Sequence, residues 1–316
     1  MLFVDSPLLL ALSAVVALLL DRWWGEPRCW HPLVGFGRWA SAIERFGNCG
    51  KRLCGVLALL LALLPLLLIA VGMMLLPELL WWLAATLLLY LAIGQRSLAE
   101  HGEAVQWALA QHDLTLARER VGYMVSRQTA DMDSTQVTKA TLESLLENGS
   151  DAIFAPLFWY LLAGPLAVVL YRLVNTLDAM WGYRNQRFEK FGWAAARFDD
   201  LLNWLPARLC AWSYILAAGL ERHHIGQCRR LWRQQAPLCD SPNGGPVMSA
   251  GASALHISLG GRACYDGVWK DRPLLGDGPE PNAADIGRAI GLIGRAVKTW
   301  LLMGLLLAVV WGAVCG

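Results

Sequence analysis

Uncharged stretches of about 20 residues recur along the chain and predict helices that cross a membrane. A helix of that length spans roughly 30 Å of hydrocarbon. We predict membrane helices in four segments of this kind, near 6–20, 53–76, 79–95 and 299–316. The Pro77-Glu78 turn separates the second segment from the third, which indicates a tight helical hairpin.

Two further apolar segments are less regular. The segment 152–171 has no charged residue, but Pro156 and Gly164-Pro165 interrupt it. Proline removes a backbone donor and breaks a helix, so this segment either spans the membrane or re-enters it as a bent hairpin. In 193–220, apolar residues with helical spacing predict an amphipathic helix at the membrane surface, namely Phe198, Leu201, Leu202 and Leu205.

The predicted fold class is an all-α integral membrane protein, with about four to six transmembrane or re-entrant helices and cytoplasmic helical and loop segments. Hydrophobic residues make up 56% of the 316 residues and charged residues only 16%, against about 25% in soluble domains. The sequence shows no repeat and no low-complexity linker, so residues 1–316 are predicted to form a single membrane domain. A net charge of +2 gives no reason to expect a nucleic-acid partner.

The positions of Lys and Arg predict the orientation in the membrane. These residues are concentrated in 21–52, 95–151, 172–208 and 221–298, and the turn at 77–78 has none. Because positively charged loops stay in the cytoplasm, we predict that these four segments face the cytoplasm and that both termini lie outside. The eight Cys show no C-x-x-C spacing, and in so apolar a chain we expect free thiols.

A helix over 134–148 is predicted from its ends. Asp133 and Gln136 form a capping-box pattern, and Gly149 is a suitable residue to end the helix. One face of this helix then carries charged side chains four residues apart, namely Lys139, Glu143 and Glu147. Carboxylates at this spacing can share a divalent ion. A solvated Lys–Glu ladder is the alternative, and the spacing alone favours the ladder.

Two other segments combine polar residues with helix breakers. Residues 175–209 mix charged and aromatic side chains with Gly182 and Gly192. This composition suits a surface at the membrane boundary that binds anions or metal ions. A basic segment that touches lipid headgroups also explains it. Residues 241–261 form a Pro- and Gly-rich turn followed by small residues that can begin a helix. Backbone N–H groups at such a junction can hold a phosphate, although a plain surface loop explains the same composition.

Taken in this order, these segments resemble the adenosylcobinamide-phosphate synthase family, CobD/CbiB. The resemblance covers nearly the whole chain and rests on motifs longer than any single pattern above. The motifs include Gly25-Glu26-Pro27, His31-Pro32, Arg96-Ser97-Leu98, Ser126-Arg127, Glu147-Asn148, Ala155-Pro156-Leu157-Phe158, the run NTLDAMWGYRN that begins at Asn175, Ala196-Arg197-Phe198-Asp199-Asp200, Leu205-Pro206-Ala207-Arg208 and Ser241-Pro242-Asn243-Gly244.

The resemblance implies an enzyme of cobalamin biosynthesis that forms a carbon–nitrogen bond. In the family, the free propionate of adenosylcobyric acid is joined to aminopropanol phosphate, with ATP consumed, to give adenosylcobinamide phosphate. ATP is then a co-substrate, Mg²⁺ is the expected metal ion, and the corrinoid is a substrate rather than a fixed cofactor. The implied location is the bacterial cytoplasmic (inner) membrane, with the active site facing the cytoplasm. The lipid bilayer and other late cobalamin-pathway membrane enzymes are the expected partners.

The resemblance also implies roles for individual positions. The candidates for catalysis and proton transfer are the carboxylates of Glu143, Glu147, Asp151 and Asp178. The candidates for binding substrate and phosphate are Arg127, Asn148, Asn175, Arg184, Arg187, Ser241, Asn243 and Gly244. The candidate metal ligands are Glu147, Asp199 and Asp200.

A non-catalytic protein of the same pathway is the alternative, either a membrane subunit that binds or transports corrinoids or a scaffold. The interrupted segment 152–171 fits a transport pathway. Transport predicts that corrinoid accumulates in vesicles without ATP-dependent amide formation.

Overall fold

A computed structural model describes residues 7–27, 31–220, 225–265 and 268–315. Within these residues the chain forms α-helices, a π-helical segment (Ser150–Phe154), a 3-10 turn (Ala236–Leu238) and one two-stranded sheet. The helices are α1 (Pro7–Trp24), α2 (Pro32–Gly47), α3 (Arg52–Ala62), α4 (Leu64–Met74), α5 (Glu78–Ala92), α6 (Gln95–Ala110), α7 (Leu114–Gly122), α8 (Ser134–Gly149), α9 (Ala155–Ala163), α10 (Pro165–Trp181), α11 (Trp193–Leu220), α12 (Ile225–Gln235), α13 (Gly244–Leu255) and α14 (Ala283–Cys315). The strands β1 (Leu259–Tyr265) and β2 (Val268–Leu275) pair antiparallel.

Helices long and apolar enough to cross a membrane occur at four places in the described residues. They are Pro7–Trp24, Arg52–Met74, Glu78–Ala110 and Ala283–Ala313, and they overlap the four segments predicted as spans. Only 22% of the apolar window in the second segment and 17% of that in the fourth are buried. Apolar surface exposed on this scale suits contact with lipid rather than water. The predicted fold class, an all-α membrane protein, is confirmed.

The chain divides into two compact units. The first contains Met1–Gly94, Ala155–Asn203 and Leu301–Gly316, and the second contains Gln95–Phe154 and Trp204–Trp300. Two of the four boundaries fall within helices, one in α11 and one in α14; the others lie between α5 and α6 and at the start of α9. That residues 1–316 act as a single membrane domain stays a prediction.

The first unit is a helical assembly in which α1, α5 and α9 pack together and α2, α4, α5 and α9 contact α10. Alanines at these contacts are nearly inaccessible, which lets the helices approach closely; Ala17, Ala40 and Ala85 are each 0% exposed. Gly164 has a φ of +80° and separates α9 from α10. Segment 152–171 is therefore bent at Gly164, with α9 and α10 packed against each other. That it spans the membrane or re-enters it stays a prediction.

The second unit is built around α8, which packs against α6, α7, α13 and β1. Every residue of α13 is buried. Its small side chains explain how it fits, since a Cβ on Gly251 would come within 2.5 Å of Leu146 Cδ2. The hairpin of β1 and β2 also contacts α12 and α13.

Several local features differ from the sequence-based expectations. The hairpin was not anticipated, and Cys49 and Cys54 form a disulfide, so the expectation of free thiols is wrong for this pair. Cys210, Cys228 and Cys239 are free, as expected.

The amphipathic segment 193–220 forms the single helix α11, but its predicted apolar face is divided. Leu202 is 7% exposed and packs in the core of the first unit, whereas Leu201 is 68% exposed. Adjacent residues on a helix point about 100° apart, so the apolar face has a buried edge at Leu202 and an exposed, open edge at Leu201. The open edge suits the predicted position at a membrane surface.

Candidate active site

The capping box predicted for α8 is present. Asp133 Oδ1 accepts a hydrogen bond from the Gln136 backbone N–H at 2.8 Å, and Gln136 Oε1 accepts one from the Asp133 N–H at 2.9 Å. The helix does not end at Gly149, because it continues into the π-helical segment. Glycine is required there for a different reason, since a Cβ would lie 2.9 Å from the Tyr214 hydroxyl oxygen. The long helix holds its carboxylates at fixed positions in the second unit.

Glu143 is the centre of a buried ion cluster. Its Oε2 accepts a hydrogen bond from Arg127 Nη2 at 2.6 Å and a second, short one from Arg272 Nη1. Its Oε1 accepts from the Gly260 backbone N–H at 2.9 Å. The side chains of Glu143 and Arg127 are only 4% and 9% exposed. Burial alone would raise the pKa of Glu143, but the two guanidinium groups and the Gly260 N–H outweigh it and lower the pKa. Glu143 therefore stays ionised and holds two arginines side by side.

Glu147, one turn further along α8, has a different environment. Among the described residues its carboxylate has no hydrogen-bond partner, and its Oε1 lies directly against Gly244 Cα, where a Cβ would overlap it. Burial raises the pKa of Glu147, and the neighbouring charge of Glu143 raises it further, while Arg272 and Arg127 act in the opposite direction. Two carboxylates on one helix face thus have pKa values shifted in opposite directions, an arrangement typical of acid–base sites.

The turn before α13 is closed by Ser241. Its Oγ accepts hydrogen bonds from the N–H of Gly244 at 2.9 Å and of Asn243 at 3.4 Å, and its carbonyl oxygen accepts from Gly245 at 3.2 Å. Arg208 Nη1 donates to Asn243 Oδ1 at 2.6 Å, and its Nη2 donates to the Pro242 carbonyl at 2.9 Å. The backbone donors predicted to hold a phosphate are therefore used within the turn itself. The turn brings Ser241, Asn243 and Gly244 next to Glu147.

A polar cavity of about 250 Å³ lies beside the ion cluster in the second unit. Arg127, Lys139 and Arg262 line it together with the backbone of Gly260 and Gly261. Carboxylates in the same lining balance these cations, namely Asp131, Asp133 and Glu280. Lys139 Nζ lies 2.8 Å from Glu280 Oε1. Mixed charges around a small cavity suit a phosphate group that carries a divalent cation.

The other two predicted residues of the second unit have more peripheral places. Asn148 is exposed, and its Nδ2 donates to Ser144 Oγ at 2.8 Å. Asp151 lies in the π-helical segment and is half-buried. Single-turn π segments are frequent at functional sites, which keeps Asp151 a candidate.

A second polar cluster belongs to the first unit. Asp199 is 9% exposed and accepts hydrogen bonds from Asn175 Nδ2 at 3.2 Å and Asn203 Nδ2 at 3.0 Å. The Tyr171 hydroxyl donates to Asn203 Oδ1 at 2.9 Å, and Arg172 Nη1 donates to Asn175 Oδ1 at 3.3 Å. Burial raises the pKa of Asp199 to about 6, although the two amide donors favour the ionised form.

The remaining predicted residues surround this cluster or lie apart from it. Asp200 has its pKa raised by burial, against the charges of Arg197 and Arg184. The Asp178 side chain lies against Gly182 at the end of α10. Arg187 forms a two-point ion pair with Glu44, with Nε–Oε1 at 2.9 Å and Nη2–Oε2 at 2.6 Å. This pair fastens the segment after α10 to α2, a structural role that the sequence did not suggest.

The predicted site residues thus form two groups, one in each unit. The structure brings together Arg127, Glu143, Glu147, Ser241, Asn243 and Gly244 in the second unit, and Asn175, Asp199 and Asp200 in the first. Within the described residues no three His, Cys, Asp or Glu side chains are close enough to form a metal site on their own. Mg²⁺ usually needs only one or two carboxylates, with substrate phosphates and water as its other ligands. The metal roles of Glu147, Asp199 and Asp200 stay predictions.

Comparison with known proteins identifies the family. The family model described as "CobD/Cbib protein" matches residues 14–293. The chain belongs to the CobD/CbiB family. The resemblance inferred from the sequence motifs is thereby confirmed, and the chain is a protein of cobalamin biosynthesis.

Curated members of the CobD/CbiB family match almost end to end, and each is named cobalamin biosynthesis protein CobD. The Chromobacterium violaceum protein is 54% identical over 313 residues, which cover 96% of this chain and 98% of the relative. The Stutzerimonas stutzeri protein is 55% identical over 296 residues, covering 92% and 96%. The Mycobacterium tuberculosis protein is 37% identical over 289 residues, covering 91% and 92%. No solved structure matches the chain.

Sequence reasoning within this CobD/CbiB chain missed Arg272 and Gly260. Both lie on the hairpin and reach Glu143 from more than 100 positions away, a distance at which spacing along one helix gives no information. One signal was present: the dipeptide Asp266-Gly267 stands between two apolar runs, and Asp-Gly is a strong indicator of a β-hairpin. With the hairpin recognised, Arg272 would have been a candidate ion-pair partner.

Proposed function

We propose that the protein catalyses ATP-dependent amide formation between adenosylcobyric acid and aminopropanol phosphate and so makes adenosylcobinamide phosphate. Membership of the CobD/CbiB family supports the pathway. The proposed chemistry rests on the pair of carboxylates on α8. Glu143 anchors two arginines. Glu147 has no hydrogen-bond partner among the described residues, and its pKa is raised.

The proposed reaction has two steps. An oxygen of the propionate carboxylate attacks the γ-phosphorus of ATP, which releases ADP and leaves an acyl phosphate. The amine of aminopropanol phosphate then attacks the acyl carbon, phosphate departs with the carboxylate oxygen, and the nitrogen loses a proton. The products are one amide, one ADP, one phosphate and one proton.

Arg127 and Arg272 are proposed to stabilise negative charge on the phosphoryl groups. A guanidinium group has five N–H donors, and Arg127 uses one of them in its hydrogen bond to Glu143. Glu143 compensates their mutual repulsion, so it is a positioning residue rather than a metal ligand. Arg127 also lines the polar cavity, together with Lys139, where phosphate oxygens would meet both cations.

Glu147 is proposed to accept the proton from the attacking amine. A carboxylate with a raised pKa is a better base than an ordinary glutamate, and a partnerless oxygen is available to a substrate N–H. Mg²⁺ would neutralise phosphate charge when bound, and the carboxylates that line the polar cavity fit such an ion chemically.

The proposed location is the bacterial inner membrane, with the second unit on the cytoplasmic side, where ATP is available. The distribution of Lys and Arg supports this orientation. The Cys49–Cys54 disulfide lies in or beside a segment predicted to be cytoplasmic, whereas stable disulfides are typical of oxidising compartments. Thiol labelling of intact spheroplasts with an impermeant maleimide, with and without reductant, tests the side directly. Labelling of Cys49 and Cys54 from outside that appears only after reduction would contradict the orientation.

Transfer of ¹⁸O tests the reaction. The purified protein receives adenosylcobyric acid labelled with ¹⁸O in its free carboxylate, together with aminopropanol phosphate, ATP and Mg²⁺. The proposal predicts one ¹⁸O in each phosphate released. Amide formation with unlabelled phosphate would contradict the acyl-phosphate route, and corrinoid uptake into proteoliposomes without any amide would favour the transport alternative.

Glu147→Gln tests the assignment of the base. We expect kcat to fall by about 10²- to 10⁴-fold, the usual contribution of a general base, and the acidic limb of the pH–rate profile to disappear. Glu103→Gln is the matched control, because Glu103 is an exposed residue of α6 in the same unit. An unchanged acidic limb in Glu147→Gln would remove this residue from the proton transfer.

A further inference from the structure

The first unit contains a second cavity, of about 300 Å³, with an almost wholly apolar lining. It is bounded by α2, α4, α5 and α10, and its walls include Ile69, Leu88 and Val169. On α2 the lining residues follow a helical stripe, namely Pro32, Gly35, Phe36 and Trp39. Trp39 is 40% exposed, so the cavity is reachable from the surface.

Polar side chains enter this lining from two residues, His31 and Arg172. His31 caps α2, and its Nδ1 accepts a hydrogen bond from the Leu33 N–H at 3.2 Å. Arg172 forms no ion pair within 4 Å among the described residues, and its buried Nε has no hydrogen-bond partner there. Its Nη1 reaches Asn175 only at 3.3 Å. A cation with a buried, unused donor thus stands at the edge of a hydrocarbon-lined cavity.

We propose that this cavity binds an anionic phospholipid of the bilayer, with the phosphate on Arg172 and an acyl chain along the apolar wall. All four candidate membrane segments contribute residues to the same unit, so lipid is the molecule that surrounds it. A guanidinium group pairs with phosphate through charge-assisted hydrogen bonds, and the unused Nε–H would gain its missing acceptor. The apolar wall requires a ligand with a hydrocarbon tail, which a free phosphate does not have.

Two substitutions test the two halves of the proposed site. Arg172→Gln removes the charge but keeps a hydrogen-bonding side chain. Gly35→Leu fills the cavity, because a Cβ on Gly35 meets no atom within 4 Å and the residue lines the open space. Each has a matched control in the same unit: Arg45→Gln changes an exposed arginine of α2, and Gly72→Leu changes an α4 glycine whose Cβ also meets open space and which is outside the lining.

The measurement is native mass spectrometry of the full chain in detergent, after exchange into equal amounts of phosphatidylglycerol and phosphatidylcholine. We expect wild type and both controls to retain one phosphatidylglycerol, and Arg172→Gln and Gly35→Leu each to lose at least about tenfold in its retention. Monodisperse elution and an unchanged helical circular dichroism spectrum establish that the variants are folded.

Two results would overturn the proposal. Equal phosphatidylglycerol retention in wild type and both cavity variants would show that lipid binds elsewhere. Loss of cobyric acid binding in Gly35→Leu, with lipid retention unchanged, would assign the cavity to the corrinoid instead.

Discussion

Glu143→Gln is the substitution whose effect on stability follows most directly from the structure. Glutamine has nearly the same shape as glutamate, so the packing is kept and only the negative charge is lost. Arg127 and Arg272 then lose the carboxylate that lies between them, with side chains 9% and 23% exposed. Breaking a buried ion pair costs about 3–5 kcal/mol, and we expect the lower end of that range because Arg272 is partly solvated.

Equilibrium unfolding in mild detergent, followed by circular dichroism, measures this effect. Glu280→Gln is the control, since it breaks the pair with Lys139 through a carboxylate that is 69% exposed, and we expect it to cost below about 1 kcal/mol. The pH dependence provides a second check. The pKa of Glu143 is lowered from its usual 4.5, so its stabilisation is present above that value and is lost as the pH falls through the folded-state pKa. Equal stability of Glu143→Gln and Glu280→Gln at pH 7 would refute the anchoring role.

Three further predictions concern neighbouring positions. Gly244→Ala should lower kcat at least about tenfold, because the new Cβ overlaps Glu147 Oε1, and the helical content should stay unchanged. Glu147→Gln should be at least as stable as wild type at pH 8, and this difference in stability should vanish toward pH 4.5. The reason is that the folded-state pKa of Glu147 is raised, so wild type loses stability as the carboxylate ionises. A wild type that is more stable than Glu147→Gln at pH 8 would contradict this. The stability that Asp199 contributes should fall as the pH rises from about 3.8 to about 6, and Asp199→Asn should abolish this dependence in thermal unfolding measured across that range.

The sequence predicted the features that depend on local pattern. The membrane helices follow from uncharged runs, and the start of α8 follows from the capping box of Asp133 and Gln136, because both signals are contained within a few turns of one helix. The same reasoning placed Glu143 and Glu147 on one face of α8. It could not separate their roles, since a solvated ladder and a catalytic pair have the same spacing.

The roles became distinct only through contacts from distant parts of the chain. Arg272 gives Glu143 its ion pair, whereas Gly244 lies against the carboxylate of Glu147 and gives it no hydrogen bond. Arg187 was expected to bind phosphate, yet it pairs with Glu44, which lies 143 positions earlier. Side-chain type indicates which chemistry is available, but the partner decides whether a charge is held by the fold or remains available to a substrate.

Complete reconstitution tests the proposed activity most directly. The detergent-purified protein is incubated with adenosylcobyric acid, aminopropanol phosphate, ATP and Mg²⁺, and with each component omitted in turn, while product mass and ADP are followed together. We predict that amide and ADP appear in a 1:1 ratio with all four components, and that amide is absent when a substrate or ATP is omitted. Corrinoid binding without any amide in the complete mixture, from protein shown to be folded, would contradict the proposed enzyme.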